Sequence, residues 1–431
     1  MSSVSETIWW HVYPIGFLGA EKHALPFDAG THSRLRNFEP WLKYLVELGC
    51  NGLLLAPIFA SSTHGYDTVD HFVIDSRLGT NDDFFWLAEA CRSLGVRLCL
   101  DGVFNHVGRN FGPFLDVKAH RQSSRFASWF HIDWHNTHNE DGFSYKNFEG
   151  HHALVTLNHN NPEVSQYVGD VMLHWLRIGA AGWRLDAAYA VPRPFWQTVI
   201  PRVQAEFPEA WFLAEVIHGD YGQVVRETGV ASITQYELWK AIWSSLNDRN
   251  FFELQHALKR NKAHLAVFAP NVFLGNHDVT RIASQLKTPQ HLHLAMCLLL
   301  TLPGVPSIYA GDEQGFKAVK EHRPGGDDAI RPTFPAAPDG LPEEGWPLFT
   351  RYQNLIRFRR NNPWLVRADI NILHTANTSF VYEVYGDSRK IVVALNCGDQ
   401  QQSVKDHFVS GGQLIEGQYS VEPQGYSIWS W

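Results

Sequence analysis

Four stretches of this chain share one design: a short, strand-like apolar run that ends abruptly in a carboxylate. They are Arg97-Leu98-Cys99-Leu100-Asp101-Gly102-Val103-Phe104-Asn105-His106, Gly182-Trp183-Arg184-Leu185-Asp186, Trp211-Phe212-Leu213-Ala214-Glu215-Val216-Ile217-His218 and Val272-Phe273-Leu274-Gly275-Asn276-His277-Asp278. In a strand, side chains two apart share a face, so Arg184 and Asp186 point the same way. An arginine beside a carboxylate is expected to keep it ionised below neutral pH. Any one run is equally a capped strand end or a structural ion pair. Four buried-type strands, each with an acid at its C-terminal end, are what a barrel uses to build one site.

Between these runs the pattern is helical, and alternating strand and helix implies a parallel sheet with crossover helices. The candidate strands are 8–13, 52–56, 97–103, 182–185, 211–214, 232–235, 271–274 and 307–309. Eight strands close an α/β barrel of the (β/α)8, or TIM, type. Thr80-Asn81-Asp82-Asp83 reads as a capping box opening a helix that stops at Gly95. The gap at 106–160, rich in His, Asn, Gly and aromatic residues, is too long for a simple connection and is expected to be functional. Past Asn362-Pro363 the runs alternate as antiparallel strands do. The expected division is a catalytic barrel over 1–362, with the excursion at 106–160, and a C-terminal β-sandwich over 363–431 that covers one flank of the barrel.

On these motifs the chain resembles the α-amylase superfamily of glycoside hydrolases (family 13). Asp101–His106, Gly182–Asp186, Glu215 and Asn276-His277-Asp278 stand in the family's order, joined by Gly65-Tyr66-Asp67 and by Gly304 to Gly315. The resemblance implies retaining hydrolysis, with Asp186 as nucleophile, Glu215 as general acid and base about 5–5.5 Å from it, and Asp278 as the third acid, binding sugar hydroxyls. The apolar run before Glu215 is expected to favour its neutral, proton-donating form.

The same resemblance implies hydroxyl-binding roles for His106 and His277, and a stacking platform at Tyr66. Asp328 and Arg331 would close the non-reducing side, and Trp183 and the stretch Glu215-Val216-Ile217-His218 hold the candidates for the acceptor side. Asp101 is expected to orient Arg184 and the first-strand aromatics, and Asn105 to give structural support.

Calcium-dependent α-amylases carry a Lys-His pair after the nucleophile, where this chain has Ala187-Ala188-Tyr189-Ala190. The expectation is no required metal and no cofactor. The motifs are most similar to the neopullulanase and cyclomaltodextrinase branch, including Leu154-Val155-Thr156-Leu157-Asn158, which keeps the final Leu-Asn of that branch's motif. That branch carries an N-terminal β-domain, and this chain is expected to lack it.

Composition narrows the class further. The 431 residues suit a barrel of roughly 250–400 residues with an appendage. A net charge of −8 with no basic run argues against nucleic acid and anionic membranes. No apolar run is long enough to span a bilayer, and no leader pattern opens the chain. Five scattered cysteines read as reduced thiols of a cytoplasmic protein. The expected partner is an oligosaccharide, met by a monomer or homodimer that hydrolyses α-1,4 glucosidic bonds in short linear, branched or cyclic maltooligosaccharides, with cleavage of α-1,6 bonds left open by the motifs. A glucanotransferase is the alternative. A catalytically silent sugar-binding or transporter-associated barrel is a remote one, since such barrels lose the acids that this chain keeps.

Overall fold

Strong β-formers two residues apart let each short run bury both faces, and eight such runs pair in parallel. In the computed structural model, which describes residues 4–26, 30–138, 140–323 and 325–431, they are β1 (Trp9–Val12), β2 (Gly52–Leu55), β3 (Arg97–Gly102), β4 (Gly182–Leu185), β5 (Trp211–Ala214), β6 (Ser232–Ile233), β7 (Asn271–Phe273) and β8 (Val305–Tyr309). Each strand pairs with its sequence neighbours, and β8 pairs with β1. A parallel bridge from Thr234 to Asn271 joins β6 to β7 and closes the ring. This is a TIM barrel, as the alternation of elements requires.

Strand alternation sorts the side chains into two cores. Trp9, Leu54, Cys99, Trp211, Leu213 and Val305 fill the barrel interior, where Trp9 stacks on Trp211 at 5.2 Å. Their neighbours Trp10, Leu53, Leu55, Leu98, Leu100, Phe212 and Ile308 face outward, into the layer shared with the helices. Gly182 permits the close pairing of β4 and β5, because a Cβ there would lie 2.3 Å from the Trp211 carbonyl oxygen. The helix Asn81–Ser93 opens on a capping box: the Thr80 side chain accepts from the Asp83 amide while Asp83 reaches back to Thr80.

Within 106–160 the strand His106–Gly108 pairs with His151–Thr156, which turns back on Asn147–Phe148 as a tight hairpin. At the other end, helix Trp346–Asn361 leads to five antiparallel strands, β9 (Asp369–Thr375), β10 (Ser379–Gly386), β11 (Arg389–Asn396), β12 (Gln413–Glu416) and β13 (Gly425–Ser430). They form one sheet in the order β9-β10-β11-β13-β12, beside a two-stranded ladder of Gln402–Ser403 with Ser420–Val421. One face of the sheet (Phe380, Tyr382, Val384, Ile391, Val393, Leu395, Ile428) is continuous with the core that wraps the barrel. The other holds a small core of its own around Val392 and Trp429. All five cysteines are buried and free.

Candidate active site

The inward face of β3, β4 and β5 turns from apolar to charged at the C-terminal end. Arg184 sits opposite Asp101 in the parallel register, and its Nη1 donates to both Asp101 oxygens, at 2.7 and 2.6 Å. The same nitrogen reaches Asp186 Oδ1 at 3.2 Å, while Nη2 lies 2.6 Å from Glu215 Oε1. One buried guanidinium therefore serves three buried carboxylates. Burial and the negative charge of Glu215 lift the Asp186 carboxyl well above the usual range, against the pull of Arg184. Arg184, expected to keep Asp186 ionised, is shared, and its shortest contacts go to the other two acids.

The surroundings of Glu215 also differ from those inferred from Trp211–Ala214. That run packs inside and behind the barrel wall, while the carboxylate points into a polar cage. The Ala187 amide donates to Oε2 at 2.9 Å and the Tyr236 hydroxyl to Oε1 at 3.2 Å. Tyr236 in turn accepts from Asn276 Nδ2 at 2.9 Å. The Ala187 amide can reach Glu215 because the backbone turns sharply after Asp186, with Ala187 in the left-handed region at φ 44°. A non-glycine residue there carries strain, a condition that clusters at functional sites.

Asp278 completes the acids. The Asn276 side chain accepts from its amide at 2.8 Å. Its carboxylate contacts His277 Nε2 at 3.0 Å and Arg331 at 2.8 Å. Burial alone would raise this carboxyl, but His277 and Arg331 hold it well below the usual range. Tyr66 follows Gly65, whose φ of 92° and lack of a Cβ allow contact with Pro57. Its hydroxyl meets His277 Nε2 and lies 3.1 Å from Asp101 Oδ2. Tyr66, His277 and Tyr13 lie with their rings parallel, and Arg331 sits 4.7 Å over Tyr13. His106 stacks on Phe148 at 4.7 Å and is held by Asn105 at 3.0 Å. Its Nε2 is buried without a protein partner, and burial takes its pKa down to about 3, so it meets a ligand as the neutral ring.

These groups line one cleft of about 550 Å³ that includes Tyr66, His106, Asp186, Glu215, Asp278 and Arg331. Arg184 and His277 are buried behind its wall, where they hold the acids that line it, and three other expected site residues stand apart. Trp183 is fully buried on the outward face of β4, against Phe59 and Phe104, because alternation puts it opposite to Arg184. His218 is exposed beyond the cleft, where Ile217 is the lining residue. Asp328 pairs with Lys22, and it is Asp327 that faces the cleft and contacts Arg331 at 3.1 Å. Asp101 orients Arg184 and meets Tyr66, a residue from the loop after β2 and not from the first strand.

The cleft also contains residues that the motifs left out. Tyr236 opens the helix after β6, so the rule that barrel sites sit at strand C-termini could have found it. Phe148, Glu149 and Tyr189 carry no local signal. Among the described residues no cluster of three or more His, Cys, Asp or Glu side chains could hold a metal ion, and no helix is long and apolar enough to cross a membrane.

A parallel barrel whose C-terminal mouth gathers carboxylates around one arginine defines a glycoside hydrolase of the α-amylase type. Residues 35–335 match the family model for the α-amylase catalytic domain, and the chain belongs to that family. It is 29% identical over 424 residues to a cyclomaltodextrinase of Geobacillus thermopakistaniensis, an alignment covering 93% of this chain and 70% of that protein. It is 30% identical over 384 residues to neopullulanase 2 of Thermoactinomyces vulgaris, covering 86% and 64%. Among solved structures, the cyclic α-maltosyl-(1→6)-maltose hydrolase of Arthrobacter globiformis superposes with a TM-score of 0.84 at 24% identity, covering 99% of this chain and 98% of that one.

Proposed function

We propose that the protein is a retaining hydrolase of α-glucosidic bonds in short maltooligosaccharides, linear, branched or cyclic. The observation that carries the reading is the joint hold of Arg184 on Asp186 and Glu215 at the cleft floor. In this reading the proton sits on Glu215, which removes the charge that lifts Asp186. The Asp186 carboxylate attacks the anomeric carbon as Glu215 gives that proton to the leaving oxygen, and the C–O bond to the leaving sugar breaks. Glu215 then takes a proton from water, whose oxygen bonds to the anomeric carbon and releases the Asp186 carboxylate. Asp278 binds ring hydroxyls, and His277 and Arg331 keep it anionic for that task. Tyr236 and the Ala187 amide orient Glu215. The relatives named for cyclomaltodextrins and pullulan support the substrate class. Asp101, Asp186, Glu215 and Asp278 come from four different strand ends, which supports a site built for chemistry over a structural ion cluster.

The experiment is product analysis with maltotriose, panose, pullulan and a cyclodextrin, reading product size by chromatography and anomeric form by NMR. Short products of initial α configuration are expected. Initial β products would overturn retention, and products longer than the substrate would make the enzyme a glucanotransferase.

A further inference from the structure

Among the described residues four arginines are buried, and three of them meet a carboxylate. Arg77 pairs with Asp75, Arg281 with Asp312, and Arg184 with Asp101, Asp186 and Glu215. Arg359, on the helix Trp346–Asn361, has no such partner among the described residues. Burial alone acts on its guanidinium and draws its pKa down to about 9. A buried charge without a counter-charge is costly, because water is lost and nothing ionic replaces it.

The Arg359 side chain lies at the end of the barrel opposite the acidic cleft. Its Nη1 donates to the Leu302 carbonyl at 2.6 Å and more weakly to Leu300 at 3.4 Å, and its Nη2 to Gly304 at 2.5 Å. These carbonyls close the helix His291–Thr301 and lead into β8, so they supply only partial charge. A guanidinium has five N–H donors. The Nε–H and one N–H of Nη2 take no protein acceptor among the described residues. The side chain borders a cavity of about 160 Å³, also lined by Glu6, Asn51, Pro306, Arg360 and Pro363. Asn51 stands just before β2 and Pro306 near the start of β8. Asn51 Oδ1 accepts from the Ile8 amide at 2.8 Å, which leaves Nδ2 as a donor with no protein acceptor among the described residues. Arg360 is exposed at the rim, with Nη1 on the Gly49 carbonyl at 3.2 Å. Glu6 is the one carboxylate in this described lining, and its charge acts on Arg97.

We propose that this cavity is a binding site for a phosphate-type oxyanion, held by the buried Arg359 guanidinium, the Asn51 side-chain amide and Arg360 at the rim. A planar guanidinium with two unused donors suits paired phosphate oxygens. The bound anion supplies the counter-charge that Arg359 lacks, and it ties the N-terminal ends of β1, β2 and β8 to the helix that leads into the C-terminal sheet. The cavity shares no lining residue with the acidic cleft, so binding there is read separately from catalysis.

The test is calorimetric titration of the whole chain with inorganic phosphate and, in a second arm, glucose 6-phosphate, paired with thermal melting in phosphate and in chloride at matched ionic strength. One saturable site per chain is expected, with a melting temperature that rises with phosphate concentration. Tighter binding of glucose 6-phosphate would make the source a phosphorylated sugar, and equal or weaker binding would make it the free anion; either supports the site. Exclusion of phosphate from the surface also stabilises proteins, but it neither saturates nor responds to single substitutions. Arg360→Gln removes the rim cation, and Asn51→Asp keeps the acceptor for the Ile8 amide while placing a carboxylate in the cavity. Each is expected to weaken phosphate binding by about ten-fold or more, with activity on maltotriose unchanged. Asn51→Asp provides its own counter-charge, so its melting temperature in chloride is expected to hold or rise. No saturable heat in the wild type, a melting shift that chloride reproduces, or wild-type affinity in both variants would overturn the proposal.

Discussion

Arg184 Nη2 lies 2.6 Å from Glu215 Oε1, with both side chains buried. Removing one partner of a buried ion pair is far more damaging than the net worth of the pair, because the other charge stays buried. Here Asp101, Asp186 and Glu215 would all lose their cation. Arg184→Gln is expected to lower kcat/KM by at least about 100-fold, and Arg184→Lys to recover little, since a point charge cannot bridge three acids. Steady-state kinetics on maltotriose check this; a lysine variant near wild-type activity would contradict the bridging role.

Asp186→Asn removes the nucleophile of the proposed mechanism at nearly constant shape, so turnover should fall by orders of magnitude with the fold intact by circular dichroism. Glu215→Gln should slow sugar leaving groups more than activated aryl ones, which need little protonation. The pair of assays separates the two roles, and equal losses of Glu215→Gln on both substrates would remove its role as acid.

Glu313, in the turn just past β8, is fully buried and accepts from the Tyr44 hydroxyl at 2.9 Å and the Gly311 amide at 3.0 Å. Burial pushes its carboxyl up to about 7, against the pull of these bonds. A carboxyl raised on folding binds its proton more tightly in the native state, so stability falls as pH rises from about 4.5 to about 7. The full effect is about 3 kcal/mol. Glu313→Gln should flatten that part of the stability profile, measured by urea unfolding at pH 5 and pH 8. An unchanged difference between the two pH values would show that Glu313 is not its source.

Trp183 is held only by core packing. Trp183→Phe should cost about 1–3 kcal/mol of stability through the space it leaves, with little change in KM. A raised KM at an unchanged melting temperature would return Trp183 to the cleft.

Local sequence determined the barrel and its acids. Apolar runs with period two fix which side chains face inward, and a run that turns polar marks the C-terminal end of a strand. Asp101, Arg184, Asp186, Glu215 and Asp278 were legible on that basis, and the α-amylase resemblance rested on the same residues. Trp183 was legible too, since the alternation that turns Arg184 inward turns its neighbour outward. The rest belongs to tertiary structure, because it depends on residues far apart in the chain. Lys22 draws Asp328 away from the cleft and leaves Asp327 there. Asp101 and Glu215 compete with Asp186 for one guanidinium. A hairpin forty residues from the nucleophile loop lays Glu149 on Tyr189. A carboxylate's charge state and its side of the cleft are set by such long-range neighbours, and no local period encodes them.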